Sequence, residues 1–319
     1  MIKSKAVPCF AKTAMMTDRK DGEKRMFRNV AELVALAEKE QIKIAEVMIR
    51  QEVGVSGRSR EEIMAQMERH LEVMERAVER GLQGVVSRSG LTGGDAVRVQ
   101  RYIEQGRFLS GETILDAVSK AMATNEVNAA MGVICATPTA GSAGVVPGTL
   151  FAVKERLNPT RKEMVEFLFT AGAFGYVVAN NASISGAAGG CQAEVGSAAG
   201  MAAAALVELA GGTPAQAAEA MAIALKNMLG LVCDPVAGLV EVPCVKRNAM
   251  GAANAMIAAD MALAGVKSRI PCDEVIEAMY RIGAAMPVAL KETAQGGLAA
   301  TPTGRAIAAR IFGASAASK

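Results

Sequence analysis

Apolar residues recur at helical spacing along most of this chain, and Gly- and Pro-rich stretches interrupt the pattern. Between residues 29 and 51, apolar side chains fall three or four positions apart, which is the spacing of one helix face. A second periodic segment begins where Ser59 and Glu62 form a capping-box sequence, and Gly81 is a typical helix end. The pattern therefore predicts one helix over residues 29–51 and another over residues 59–81.

The rest of the chain shows the same periodicity and few strand signals, which predicts an all-α fold. The further predicted helices cover residues 96–105, 112–123, 158–179, 192–210, 214–229, 248–264 and 273–285, with a short amphipathic helix near the C-terminus. Asn158 and Pro159 have the residue types favoured at the cap and the first position of a helix. We expect one multi-helix domain over residues 26–319, with Gly/Pro-rich loops. Residues 1–25 lack apolar periodicity, so we expect a disordered extension.

Composition and charge exclude several functional classes. The chain has 319 residues, of which 51% are hydrophobic but only 3% aromatic, so closely packed aliphatic helices are expected. The net charge is +3, and no basic block with interleaved aromatics is present, which argues against nucleic-acid binding. The apolar runs 167–181 and 196–207 are each shorter than the roughly 18–20 residues that span a bilayer. The N-terminus does not read as a signal peptide, so we expect a cytoplasmic protein without membrane attachment.

Three cysteines in turns rich in Gly and Pro are candidate metal ligands. Cys191 and Cys233 are 42 residues apart, and Cys244 follows 11 residues later. A structural zinc site normally has four Cys or His ligands, often in close pairs, and this chain has no Cys-x₂-Cys pair and one histidine. Two interpretations remain open from the spacing: inert core thiols, or three ligands of a [4Fe–4S] cluster. With three protein ligands, one iron keeps an open position and can act as a Lewis acid.

A loop at residues 135–148, CATPTAGSAGVVPG, is dense in small hydroxyl residues, Gly and Pro. Such a loop offers free backbone N–H groups and hydroxyls, which suits a carboxylate. It is not a nucleotide-binding Walker motif, because no Gly-Lys-Ser/Thr follows. The one histidine, His70, lies beside an apolar stripe and is expected to pack there. If the chemistry needs a histidine base, another chain must supply it.

Four long motifs give the chain a resemblance to a known family. They are TPTAGSAGVVPG (137–148), NNASISGAAGGCQAEVGS (180–197), GLVCDPVAGLVEVPCVKRNAMGA (230–252) and QGGLAATPTG (295–304). From about Met26 to Gly313 the chain resembles the α chain of the iron–sulfur-dependent L-serine dehydratases. The resemblance implies a lyase that converts L-serine to pyruvate and ammonia without pyridoxal phosphate.

The resemblance also implies a cofactor and a partner. It implies that Cys191, Cys233 and Cys244 bind a [4Fe–4S] cluster within an α-helical iron–sulfur catalytic domain. Single-chain members of the family carry a preceding domain with a Ser-His-Thr motif, and this chain has no Ser-His pair. The resemblance therefore points to the two-chain form, a hetero-oligomer in which a separate β chain completes the site.

For the carboxylate and ammonium groups of the substrate, we expect hydroxyl and amide side chains from two of these motifs. The candidates are Thr137, Thr139 and Ser142, with Asn181, Ser183 and Ser185 opposite. The alternative for each is a local turn hydrogen bond, which Ser, Thr and Asn form routinely. Lys246 and Arg247 could offset the negative charge of a cluster, or could be a solvated pair. No general base is assigned in this chain, and we expect it on the partner chain.

Other functions are compatible with the same residues. The chain could catalyse β-elimination from L-threonine or L-cysteine, because one methyl group discriminates by only about 1–3 kcal/mol. It could be a non-catalytic electron-transfer protein, which predicts four protein ligands to the cluster. It could also be a scaffold for a catalytic partner, without any metal.

Overall fold

The structure is a computed structural model, and it describes residues 5–8 and 25–313. It confirms the prediction of an all-α fold, with 70% of the chain helical. The α-helices are α1 (Val30–Glu40), α2 (Ile44–Ser56), α3 (Arg60–Leu82), α4 (Asp95–Glu104), α5 (Glu112–Ala129), α6 (Val145–Ala152), α7 (Lys154–Leu157), α8 (Arg161–Asn181), α9 (Gly186–Gly189), α10 (Ser197–Leu209), α11 (Pro214–Lys226), α12 (Cys244–Leu263), α13 (Cys272–Ala285) and α14 (Pro302–Phe312). Within the described residues, no helix is both long enough and apolar enough to cross a membrane.

Two short strands form a parallel pair. β1 (Lys5–Pro8) lies beside β2 (Val133–Ala136), with Lys5 opposite Val133. β1 falls inside the segment for which disorder was predicted, so that part of the expectation differs from the structure. The remainder of the predicted extension, residues 1–4 and 9–24, lies outside the described residues.

The centre of the fold is a pair of helices that are apolar on nearly all sides, α8 and α10. Such helices are typical of the interior of a large domain. Small residues let their neighbours approach closely. A Cβ at Gly175 would lie 2.8 Å from the terminal methyl of Met201, and a Cβ at Gly200 would lie 2.9 Å from Met221 Cγ. The low aromatic content thus corresponds to tight helix–helix packing rather than to a sparse core.

The predicted helix over residues 29–51 is wrong, because the chain forms two helices there. α1 ends at Glu40, and Gln41 has a left-handed backbone with a φ of 53°. The apolar pattern conceals this break because Ala37 and Ile44 are both buried and lie seven residues apart. That separation equals two helical turns, so the apolar stripe stays in phase across the turn.

Other helix boundaries also differ from the prediction. Thr160, rather than Asn158, caps α8, and it forms a capping box with Glu163. Asn158 instead ends α7 with a φ of 45°. α5 continues to Ala129, beyond the predicted end at residue 123. α6 lies within residues that were read as loop, since Pro147 and Gly148 suggested no helix.

Several helices are capped by carboxylates that belong to distant helices. Glu208 of α10 accepts hydrogen bonds from the backbone N–H groups of Ile44 (2.6 Å) and Ala45 (3.1 Å), at the start of α2. Glu126 of α5 accepts one from the N–H of Asp95 (2.7 Å), at the start of α4. The cap positions of both helices supply no side-chain hydrogen bond of their own. These carboxylates therefore satisfy helix N–H groups and fix the packing of the helices that carry them.

Replacement of Glu208 by Ala is expected to lower the free energy of unfolding by about 2 kcal/mol. The reason is that the change leaves two N–H groups of α2 without an acceptor. Urea denaturation followed by circular dichroism measures the loss. The control is Glu277→Ala, which removes an exposed ion pair with Arg281 and should change stability by no more than about 0.5 kcal/mol. Equal losses in the two variants would contradict the capping role.

Candidate active site

Cys191 lies where a short glycine-rich helix gives way to a long one. α9 ends at Gly189, the next residue Gly190 has a φ of 78°, and the chain then passes through a π-helix at Gln192–Gly196 into α10. The side chain of Gln192 holds this turn, because its Nε2 donates to Gly189 O (2.9 Å) and its Oε1 accepts from Gly230 N (2.9 Å). Gln192 N also donates to Leu231 O (2.9 Å). The turn that carries Cys191 is thus joined to the segment that leads to Cys233.

Cys233 is held by backbone pairing with a loop late in the chain. Its N–H donates to Leu290 O (2.9 Å), and its carbonyl accepts from Glu292 N (2.7 Å). Cys244 is the first residue of α12. Three residues earlier, the buried Glu241 accepts a hydrogen bond from Ser89 Oγ (2.6 Å). All three thiols are therefore carried by backbone that is fixed by contacts distant in sequence.

The three thiols lie close enough for the charge of one to act on another. Burial raises the pKa of Cys191 to about 12, with a further rise from the charge of Glu194. Burial is also the main cause of the raised pKa of Cys233, and the other two thiols add to it. Cys244 behaves in the same way, with Cys191 the next cause after burial. Cys272 belongs to another region, because its raised pKa depends on burial and then on Asp273.

Glu194 is a functional candidate that the sequence analysis missed. Its Oε1 accepts a hydrogen bond from Thr139 Oγ1 (2.7 Å), and its Oε2 lies 3.9 Å from Cys233 Sγ. Its pKa is raised to about 7, mainly by burial and in part by the like charge of Glu292. One signal was available in the sequence: within residues 182–207, Glu194 is the only charged residue.

Three of the predicted substrate ligands lie in the loop that precedes α6. Thr139 faces the site through its bond to Glu194. Thr137 and Ser142 are fully buried, and their hydroxyls bond within the loop. Thr137 Oγ1 donates to Ala143 O (3.4 Å), and Ser142 Oγ donates to Thr137 O (3.1 Å). These two side chains set the shape of the loop, which supports Thr139.

The other three predicted ligands lie at the last residue of α8 and in the turn that leads to α9. Asn181 Nδ2 donates to the carbonyl of Arg28 (2.9 Å). Ser183 Oγ accepts from the N–H of Ser185 (3.1 Å), which is a local turn bond. Ser185 is the residue before α9, and the next residue, Gly186, contacts Glu194. The structure thus brings the Ser185 end of this segment to the cysteines, whereas Asn181 bonds to the distant Arg28 and Ser183 bonds locally to Ser185.

Arg247 supplies positive charge beside the thiols, whereas Lys246 does not. Arg247 Nη1 donates to Val232 O (2.8 Å) and lies 2.9 Å from Asp234 Oδ1, and both side chains are largely buried. Its charge lowers the pKa values of Cys191 and Cys244, although burial still dominates both. Lys246 is exposed and pairs with Asp95. The two adjacent basic residues therefore have different roles.

The chemistry of these side chains fits an iron–sulfur cluster. Soft thiolate ligands select iron–sulfur clusters, zinc or copper(I) over hard cations. Cys191 and Cys244 lie at helix N-termini, where the helix dipole stabilises thiolates. In the described part of the chain, no group of three or more His, Cys, Asp or Glu side chains is arranged to hold a single metal ion. The ligands of an iron–sulfur cluster need no such arrangement, because each binds a different iron atom.

Comparison with known proteins gives consistent matches. The family model described as "Serine dehydratase alpha chain" matches residues 39–299. The chain is 74% identical to "Probable L-serine dehydratase, alpha chain" of Bacillus subtilis (strain 168) over 294 residues, which cover 92% of this chain and 98% of the relative. It is 43% identical to "L-serine dehydratase, alpha chain" of Peptoniphilus asaccharolyticus over 283 residues, which cover 88% of this chain and 97% of that relative.

Longer relatives match over part of their length. The chain is 38% identical to "L-serine dehydratase TdcG" of Escherichia coli (strain K12) over 280 residues. That alignment covers 86% of this chain but 61% of the relative. The matched segment therefore includes the cysteine turns, and the relative has further sequence outside it.

The ion pair between Arg247 and Asp234 is expected to be a strong stabilising contact. Replacement of Arg247 by Gln leaves a buried carboxylate without its cation, which should lower the free energy of unfolding by roughly 3 kcal/mol. Urea denaturation of Arg247→Gln, Asp234→Asn and the double variant forms a thermodynamic cycle, and we expect a coupling above about 1 kcal/mol. Lys246→Gln is the control and should cost less than about 1 kcal/mol. A cycle without coupling would contradict this contact.

Proposed function

The chain belongs to the serine dehydratase alpha-chain family, and from that premise we propose that it is the α chain of an L-serine dehydratase. In this proposal it works with a separate β chain and a [4Fe–4S] cluster in the cytoplasm. Family membership supports the reaction, and the convergence of three thiols is the single observation in the structure that supports the cofactor.

The proposed reaction removes water from L-serine. The α-proton and the β-hydroxyl leave, and a carbon–carbon double bond forms between the α and β carbons. The resulting aminoacrylate tautomerises to an imine, which takes up water and releases ammonia and pyruvate. The net change is therefore L-serine to pyruvate and ammonia, with no oxidant or reductant. The difficult steps are the loss of a weakly acidic proton and the departure of a poor leaving group.

Cys191, Cys233 and Cys244 would hold the cluster. When bound, a cluster with three protein ligands supplies a Lewis acid that makes hydroxide a better leaving group. The chain's own contribution is to keep the three thiols on fixed turns and to place the charge of Arg247 beside them. Because these turns are joined through Gln192 and through the loop at Leu290, the thiols are positioned before any ligand binds.

The residues predicted to bind substrate keep that role in the proposal, with Thr139 the best placed. The backbone of the loop around Thr137, Thr139 and Ser142 faces the cysteine turns through the contact of Thr139 with Glu194. N–H groups in such a loop suit the substrate carboxylate. Asn181, Ser183 and Ser185 contribute the opposite wall, where the backbone at Ser185 leads into the contact with Glu194.

A β chain would complete the site. Relatives named as α chains are matched along nearly their whole length, whereas the E. coli relative has additional sequence. A separate chain that provides the missing part would account for both lengths. We place the general base on that chain, and the resulting enzyme is a hetero-oligomer.

Anaerobic reconstitution with iron and sulfide is expected to give about four iron atoms per chain and visible cluster absorbance. Replacement of Cys233 by Ser should abolish that absorbance, because it removes one of three ligands. Replacement of Cys272 by Ser is the matched control and should leave iron content unchanged, since Cys272 lies apart from the trio. Chemical iron analysis and absorbance spectra measure the result. Cluster retention in Cys233→Ser would contradict the ligand assignment.

Co-expression with the β chain should yield an enzyme that forms pyruvate from L-serine and loses activity in air. We expect activity to return after treatment with ferrous iron and thiol, because oxygen attacks an iron that lacks a protein ligand. Rates with L-threonine and L-cysteine test the alternative substrates. The cluster absorbance spectrum of an electron-transfer protein would instead stay the same when L-serine, L-threonine or L-cysteine is added. Full activity after prolonged aeration and chelation would rule out the proposed cofactor.

A further inference from the structure

Glu194 is a largely covered carboxylate for which the described residues provide no cation. The groups that act on it most strongly are a hydroxyl, a thiol, a backbone amide and a second carboxylate. Arg247, the cation beside the thiols, is committed to Asp234 and to Val232 O. Burial of a carboxylate without a cation is costly, so a cationic ligand from outside the chain would stabilise this group.

The carboxylate is oriented by contacts on three sides. Oε1 is committed to Thr139 Oγ1, which donates at 2.7 Å. Gly186 and Gly141 lie against the carboxylate, and a Cβ at Gly186 would come within 2.6 Å of Oε2. Oε2 lies beside Gly186, whose backbone N–H donates to the carboxylate, and 3.9 Å from the thiol of Cys233. The loop thus holds Oε1, whereas Oε2 lies between the short helix and the cysteine turn, beside Cys233.

The surroundings of Oε2 favour a cationic ligand. Glu292 adds a like charge, and it is held in place by a hydrogen bond from the N–H of Ala187. An ammonium group is the complement of such a site, because it offers three donors and one positive charge, whereas a carboxylate only accepts.

We propose that Glu194 binds the α-ammonium group of the amino-acid substrate through Oε2. This inference rests on the proposed function, because it takes the cysteine turns to be the active site. It makes Glu194 a specificity-determining residue that distinguishes amino acids from hydroxy acids. Thr139 is then a positioning residue, since its hydroxyl is used to orient Glu194. Binding at Oε2 would place the α-carbon, one bond from the ammonium, close to Cys233.

The test compares two small molecules that differ only in this group. L-Alanine and L-lactate share the carboxylate and the methyl, and neither can lose water from the β-carbon. Isothermal titration calorimetry measures their binding to the anaerobically reconstituted α and β chains together. In Glu194→Gln, which keeps the side-chain shape, we expect the Kd of L-alanine to rise at least about ten-fold. The Kd of L-lactate should change by less than about two-fold, and the KM of L-serine should rise with that of L-alanine.

Three controls keep the outcome decisive. Glu219 lies on α11 and accepts a hydrogen bond from Ser268 N. Glu219→Gln removes this carboxylate and should leave both Kd values unchanged. Glu194→Asp keeps the charge and should retain part of the preference for L-alanine. Iron content and thermal unfolding of each variant report whether the site is still assembled. If Glu194→Gln is unstable, the Kd values of L-alanine and L-lactate are compared in Glu194→Asp instead, where the preference for L-alanine should be reduced but not lost.

Several outcomes would overturn the inference. Parallel loss of L-alanine and L-lactate binding would show a merely structural role, and unchanged L-alanine binding would show none. Loss of the β chain from Glu194→Gln, seen by size-exclusion chromatography, would assign the carboxylate to the subunit contact. Failure of the proposed function looks different, because the unmodified enzyme would then have no cluster or form no pyruvate.

Discussion

The structure depends on one constraint: it buries three thiols and a carboxylate, groups whose ionised forms are negatively charged. Burial raises the pKa values of the three cysteines and of Glu194, because a charge in apolar surroundings is poorly solvated. The chain offsets this cost with the N-termini of two helices and with the guanidinium of Arg247. Arg247 in turn needs Asp234, whose other oxygen accepts from Leu298 N at 2.7 Å. The electrostatics of the site and the shape of its turns therefore cannot be separated.

Close helix packing gives these turns their rigidity. A helix that is apolar on all sides can be held only by neighbours that approach it closely, and the chain achieves this with Ala and Gly rather than with aromatic residues. Close packing through glycine also occurs beside the cysteine turns. A Cβ at Gly283 of α13 would lie 2.8 Å from the Cα of Gly189, so α13 packs directly on the backbone of α9. The C-terminal part of α13 therefore packs directly against the segment that leads into Cys191.

Much of the fold and part of the site could be predicted from sequence, and the failures have physical causes. Periodicity located most helices, and the Gly and Pro around the cysteines indicated their turns. The break at Gln41 was hidden because two buried positions stay in phase across it. Glu194 was missed because it lies in a long uncharged run that reads as a buried helix. The cap that Glu208 gives to α2 joins residues more than 160 positions apart, and no local pattern reports such a contact.

The loop after α13 shows how the parts of the site constrain one another. Glu292 and Ala294 have positive φ angles of 61° and 56°, which are unfavourable for residues other than Gly. Such conformations persist only when surrounding contacts determine them. Here the backbone of Cys233 holds the loop at one end, and Asp234 holds it at the other through Leu298 N. The two adjacent residues that fix the loop are therefore a proposed cluster ligand and the partner of Arg247. One short segment, Cys233 and Asp234, thus supports a thiol, the cation Arg247 and the loop that carries Glu292. A substitution in this segment should therefore alter all three at once.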